Sequence, residues 1–244
     1  MDLYGIIGNP LGKSQSKPFF NQKFADEGID ARYEAYELSH IEEVTFLLAL
    51  HPNLKGFNVT IPYKEQIIPF LKDVSPEAAA IKAVNVVKVE QTPQGAVMHG
   101  FNSDVIGFGL SLDPLLTPEL KKALILGTGG ASKAVAYALA QRGIDYRFVS
   151  RTAGPDKYSY QELTPAIIQE RQLIINCTPL GMYFDQCPAI PYECLTPRHL
   201  LYDVVYHPEV TLFMQRGAAQ GARTKNGYEM WYRQALASWD IWNR

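Results

Sequence analysis

Lys64 closes the segment NVTIPYK (58–64), where a run suited to a buried strand, Phe57, Val59 and Ile61, breaks at Pro62. In open α/β sheets, ligands bind outside the carboxyl ends of the strands. An ammonium group delivered to that edge is therefore a candidate for chemistry. The second candidate is Asp104, in HGFNSDVIGFG (99–109), after one strand and at the start of a helical pattern. Other polar groups fall near strand ends: Ser14, Ser16, Asn58, Thr60, Asn85 and Asn102. Hydroxyls, amides and one lysine–aspartate pair suit a polyhydroxylated acid better than an apolar ligand. Each also has an ordinary explanation, Lys64 as a surface lysine beside Glu65 and Ser103 or Asp104 as a helix N-cap.

A second constellation is ALILGTGGASKAVAYAL (123–139), an apolar strand, a glycine turn and a small-residue helix. Gly127 permits the tight turn, and Gly129 lets the backbone approach a pyrophosphate. The helix N-terminus then supplies amide donors and a positive dipole end. Ser132 stands at the usual third-glycine position, so the pattern is GxGG rather than the full fingerprint. A tight βα turn without a ligand is the plainer alternative. The next strand ends FVSRT (148–152). Dinucleotide folds that take NAD place a carboxylate about 20 residues past the loop; here that place holds Ser150, followed by Arg151. A guanidinium fits a 2′-phosphate through its forked donors, which favours NADP.

Other chemistries find little support. The five histidines show no HxxxH spacing, no serine sits in GxSxG, and the three cysteines (Cys177, Cys187, Cys194) have no CxxC spacing. No metal is expected, and the cysteine usage favours a reducing, cytoplasmic compartment. A net charge of −2 gives no basic field for nucleic acid or an anionic membrane. The first residues, MDLYGIIGNP, lack the basic flank and apolar length of a signal peptide. No run reaches the roughly 20 apolar residues of a membrane span.

The elements that must position these residues alternate along the chain. LYGII (3–7), ARYEAYE (31–37) and GFNVTI (56–61) read as strands, while 18–27 and 41–50 carry helical spacing. Ser75-Pro76-Glu77 opens a helix, and NVVKVE (85–90) with AVMHGF (96–101) reads as a hairpin. A new alternation begins at 123, with strands at 146–150, 173–176 and 201–206, and 227–242 is a helix rich in aromatics. Pro114 and Pro118 interrupt the pattern between the two series. The fold class expected is α/β, as two α/β domains with mainly parallel sheets.

Nine segments, in this order, resemble the shikimate dehydrogenase family: GNPLGKSQS (8–16), NVTIPYK (58–64), KAVNVV (82–87), GFNSDVIG (100–107), GTGGASKA (127–134), SRT (150–152), INCTPLGM (175–182), YDVVYHP (202–208) and NGYEMWYRQA (226–235). The resemblance implies reversible, metal-free, NADPH-dependent reduction of 3-dehydroshikimate to shikimate. It implies a substrate-binding domain over 1–103 with a returning helix 227–244, a Rossmann-like NADP domain over 104–226, and a cleft between them. Ser14 and Ser16 would hold the substrate carboxylate, and Thr60, Asn85 and Gln234 the ring hydroxyls or the carboxylate. Asn102 would contact hydroxyls beside Asp104, and Tyr206 would line the pocket. Gly127, Gly129, Gly130 and Ala131 would approach the pyrophosphate. Ser150, Arg151 and Thr152 would handle the adenosine end, with Thr178 and Gly227 toward the nicotinamide. Lys64 would act as general acid/base, oriented by Asp104.

Several positions depart from the family pattern. Lys13 replaces a common histidine, Lys17-Pro18 replaces a proline directly after the second serine, Ser103 replaces threonine, and Ser150 replaces asparagine. The crossover after Arg151 is short, and the next basic candidates for a 2′-phosphate are Lys157 and then Arg171. The chain also stops at Arg244, soon after the Gln234 helix. The partner implied is a small molecule, with a monomer or homodimer both compatible with the aromatic final helix. Two other readings are an NAD-using quinate/shikimate dehydrogenase, which Arg151 opposes, and a non-catalytic sensor of a shikimate-like effector. Loss of Lys64 or Asp104 would favour the sensor, and both residues are present.

Overall fold

The computed structural model describes residues 1–12, 14–182 and 186–244; Lys13 lies outside them. Two compact units emerge, one formed by Met1–Ser103 with Ala235–Arg244, the other by Asp104–Gln234.

The first unit runs β1 (Asp2–Gly8), α1 (Ser16–Asp26), β2 (Ala31–Glu37), α2 (Val44–Leu50), β3 (Leu54–Val59), α3 (Tyr63–Gln66), β4 (Asp73–Val74), α4 (Pro76–Ile81), β5 (Val86–Thr92) and β6 (Gly95–Phe101). Its sheet has the order β2-β1-β3-β5-β6-β4. β1 lies parallel to β2 and β3, β5 is antiparallel to β3 and β6, and β4 is parallel to β6. Side chains alternate across a strand, and β1 is buried on both sides. Leu3 and Ile7 join a core with Val44, Leu54 and Phe57. Tyr4 and Ile6 join the opposite core with Phe20, Phe24, Tyr33 and Trp242. β4 has only two residues, too few to leave a periodic signal.

The second unit contains α5 (Asp104–Leu112), β7 (Lys122–Leu126), α6 (Gly130–Gln141), β8 (Asp145–Ser150), β9 (Lys157–Ser159), α7 (Pro165–Glu170), β10 (Leu173–Asn176), β11 (Leu200–Asp203), α8 (Leu212–Ala219) and β12 (Arg223–Lys225). The last helix, α9 (Tyr228–Trp242), supplies its first turns to this unit and its remainder to the first. All strand pairs of this sheet are parallel, in the order β12-β11-β10-β7-β8-β9. Numbered within the unit, that is the 3-2-1-4-5-6 order of a dinucleotide-binding fold. Ala123, Ile125, Leu173 and Ile175 face one core, and Leu124, Leu126 and Ile174 face the other. Burial on both faces explains why these strands read as unbroken apolar runs.

One expected element is shorter than its sequence suggests. The strand expected over 201–206 ends at Asp203. There the Asp203 carboxylate accepts the Val205 N–H at 3.0 Å, which draws the backbone off the ladder.

Candidate active site

Strand direction decides which loops share an edge. β1 and β3 are parallel, so Gly8 and Val59 end on the same side of the first sheet. β5 runs against β3, which brings Asn85, just before it, to that side. β6 reverses again and returns Asn102 there. Short bonds close this edge: the Thr60 N–H donates to the Ile7 carbonyl at 2.9 Å, and the Val84 N–H to the Lys64 carbonyl at 2.8 Å. Lys64 thus sits on α3, the helical turn that follows Pro62. Ser16 opens α1 and is buried, and its N–H donates to Ser14 Oγ at 3.3 Å. A Cβ at Gly8 would meet Leu11 Cδ2 at 2.7 Å and the Thr60 methyl, so a side chain there would pry the loops apart.

Both asparagines are held firmly. Asn85 Oδ1 accepts the Ser103 N–H at 2.7 Å, and its Nδ2 donates to Ser103 Oγ at 3.1 Å. Asn102 Nδ2 donates to the Ala83 carbonyl at 2.9 Å. One residue beyond Ser103, Asp104 opens α5 and is buried. A Cβ at Gly107 would lie 2.8 Å from Gln234 Cβ and against the Met230 carbonyl. α5 and α9 therefore pack backbone to backbone, with Asp104 and Gln234 on neighbouring helices of the second unit.

The second sheet gathers the other predicted residues at its carboxyl edge. Gly127–Ala131 follow β7, Ser150–Thr152 end and follow β8, Thr178 follows β10, Tyr206 follows β11 and Gly227 follows β12. The strand order reverses between β7 and β10, the point at which such sheets open a crevice. Gly127 has φ +106°, and a Cβ there would face the Thr178 methyl at 3.2 Å and the Cys177 backbone at 3.4 Å. Gly129 caps the twelve-residue α6, and a Cβ there would meet nothing within 4 Å. A helix N-terminus with open space before it and glycine beneath suits a pyrophosphate, so these residues fit the dinucleotide they were predicted to hold. Gly227 is obligatory for another reason, since a Cβ there would collide with the Val204 carbonyl.

Arg151 and Thr152 are exposed, and Ser150 Oγ donates to the Thr152 carbonyl at 2.6 Å, shaping the turn that presents the guanidinium. Lys157 does not join them at the edge. The register pairs it with Phe148, two residues back from Ser150, and its stem lies against Gly154.

A buried carboxylate that sequence reasoning missed ties the carboxyl ends of β10 and β11 together. Asp203 accepts hydrogen bonds from Asn176 Nδ2 at 2.9 Å, Thr211 Oγ1 at 2.6 Å and the Val205 N–H. Asn176 Oδ1 in turn accepts the Thr178 N–H at 3.0 Å and the Thr178 hydroxyl at 2.6 Å. Burial pushes the Asp203 carboxyl up to about 6, against the three donors that pull it down. Burial also raises the Cys177 thiol and the Tyr206 phenol, so both stay protonated at neutral pH. Tyr206 packs on Trp231 with ring centroids 5.6 Å apart. Only the position of Asp203 at a strand end could have flagged it.

A family model described as the shikimate dehydrogenase substrate binding domain matches residues 6–87. The shikimate dehydrogenase (NADP(+)) of Carboxydothermus hydrogenoformans is 34% identical over 260 residues, spanning 98% of this chain and 91% of that protein. The chain belongs to the shikimate dehydrogenase family. The crystal structure of the family's Aquifex aeolicus member has a TM-score of 0.87 at 33% identity, covering 100% of this chain and 92% of that one. The shikimate 5-dehydrogenase of Thermus thermophilus, solved in complex with NADP(H) and shikimate, gives 0.85 at 28% identity, covering 99% and 93%. The matched length takes in both units.

Proposed function

We propose that the chain catalyses the reversible, NADP-dependent oxidation of shikimate to 3-dehydroshikimate, with the first unit holding the substrate and the second the cofactor. The observation that carries the residue assignment is the edge of the first sheet. There the topology gathers Ser14, Ser16, Thr60, Asn85 and Asn102 around the helical turn bearing Lys64. Hydroxyl and amide groups in that number match a ring carrying three hydroxyls and a carboxylate. Ser14 and Ser16 donate to the carboxylate, and Thr60, Asn85, Asn102 and Gln234 to the hydroxyls. Tyr206, in the second unit, is assigned to the substrate by the family resemblance.

Bound NADP supplies the hydride acceptor. Gly127, Gly129, Gly130 and Ala131 leave room for its pyrophosphate. Ser150, Arg151 and Thr152 hold the adenosine end, with Arg151 on the 2′-phosphate. Thr178 and Gly227 lie toward the nicotinamide. Lys64 carries the proton. In oxidation its neutral amine takes the hydroxyl proton as hydride leaves the same carbon. In reduction its ammonium stabilises the charge growing on the ketone oxygen and protonates it. Asp104 accepts from the neighbouring hydroxyl and orients the Lys64 amine.

The test is absorbance at 340 nm with shikimate and NADP or NAD, using wild type and Lys64→Ala. Turnover with NADP is expected, with kcat in the variant lower by about 10²–10⁴ and KM for shikimate nearly kept. An unchanged kcat would remove Lys64 from the mechanism. Faster turnover with NAD would overturn the cofactor assignment.

A further inference from the structure

A chain of buried hydrogen bonds crosses the first unit beneath the predicted substrate residues, and the assigned roles do not account for it. The Tyr33 phenol donates to Asn58 Oδ1 at 2.8 Å. Asn58 Nδ2 donates to the Asn85 carbonyl at 3.2 Å and to Ser238 Oγ at 3.0 Å. Ser238 Oγ lies 3.1 Å from Ser103 Oγ. Ser103 then holds both the oxygen and the nitrogen of the Asn85 side chain. Tyr33, Ser103 and Ser238 are fully buried, and Asn58 and Asn85 are only 6% and 3% exposed.

From this we infer that Ser238, on the last helix, is a positioning residue for the substrate. Through Asn58 and Ser103 it ties β3 to the Asn85–Asn102 end of the edge, and the inference rests on the substrate roles proposed above. Apolar neighbours surround the link: Phe20, Val86, Ala235 and Trp242 build the core into which Ser238 is set. An apolar side chain there would leave the buried Asn58 Nδ2 and Ser103 Oγ each short of a partner, so stability and positioning are told apart by kinetics rather than by unfolding alone. What the hydroxyl does is fix directions. It accepts from Asn58 and shares a hydrogen bond with Ser103, which in turn holds the Asn85 amide. Ser103 also lies between Asn102 and Asp104 in sequence, so its anchoring sets where the backbone leaves β6 for α5.

The experiment is steady-state kinetics and thermal unfolding of Ser238→Ala, Tyr33→Phe and the double variant. Each single variant is expected to raise KM for shikimate about fivefold, the loss of one hydrogen bond, with KM for NADP unchanged. The double variant is expected to rise no further than the worse single, because both cut one chain. A lowered Tm with KM for shikimate unchanged would overturn the inference, as would fully multiplicative effects in the double variant. Should Ser238→Ala fail to fold, Ser103→Ala and Ser103→Thr read the same chain. A raised KM in the first that the second restores would support it, and equal KM values in the two would overturn it. A wild type inert toward shikimate would overturn the functional reading itself, whereas an active wild type matched by Ser238→Ala would overturn this inference alone.

Discussion

In the proposed cofactor site, Arg151 is the residue assigned to the 2′-phosphate, and cofactor preference rests on it. The Ser150–Thr152 bond shapes its turn, and the register leaves Lys157 away from that edge. A charge-assisted pair to a phosphate contributes about 1.5–3 kcal/mol. Arg151→Ala should therefore raise KM for NADP by roughly 10–100-fold and leave KM for NAD within about threefold, read from initial rates with each cofactor. An equal rise for both cofactors would make Arg151 a scaffold of the turn rather than a phosphate ligand. At this scale the sequence places a candidate where a side chain stands beside a strand end, as Lys64, Asn85, Asn102 and Arg151 do. It was silent on Ser238 and Tyr33. A serine inside an aromatic helix and a tyrosine in an alternating strand look like ordinary face residues, and the Asn58–Ser238 bond spans 180 positions.

Among the elements, the carboxyl edge of the second sheet depends on Asp203, whose bonds to Asn176, Val205 and Thr211 end β11 and hold the loop carrying Thr178. Its carboxyl rises from 3.8 to about 6 in the fold. Between those values the folded chain keeps a proton that the unfolded chain has released. Its contribution to stability is thus complete below pH 3.8 and lost as pH rises through about 6. The loss amounts to about 3 kcal/mol. Asp203→Asn cannot titrate, so the stability of the variant relative to wild type should climb by about that amount from pH 4 to 7. Urea denaturation at several pH values would show it, and a pH-independent difference would mean the buried carboxyl never holds its proton in this range.

The same strands show why some elements were legible and others not. β7, β10 and the core of β11 are apolar on both faces and cannot be mistaken. β9 and β12 are edge strands of three residues each, KYS and RTK, with no apolar run to mark them. Their existence comes from pairing with a neighbour rather than from their own composition. Helix α7 had clear local signals in Thr164 and Pro165, the former accepting the Ile167 N–H at 3.4 Å. Its six residues are simply too few for the pattern to repeat.

Across the whole molecule, the first unit is closed by residues from the far end of the chain. Trp242 fills its second core, touching the rings of Tyr4, Phe20 and Tyr33. Its Nε1 donates to the Val87 carbonyl at 3.0 Å. Gly56 leaves the space for its indole, because a Cβ there would strike the ring. Removing so large a buried side chain costs about 3–5 kcal/mol. Trp242→Ala should lower stability by that much in urea titration. A loss under about 1 kcal/mol would mean the first unit stands without its last helix. Among the described residues no helix is long and apolar enough to cross a membrane.

That closure has a consequence for how the protein is made. Ribosomes add about 5–20 residues per second, and some 130 residues lie between Ser103 and Ala235. For roughly 7–26 seconds the first unit has all its strands but not the helix that seals Tyr4, Phe20 and Phe24. The second unit, continuous in sequence, meets no such delay. Early translation products therefore expose an aromatic groove, and holdase chaperones that bind such surfaces have their opportunity in that interval.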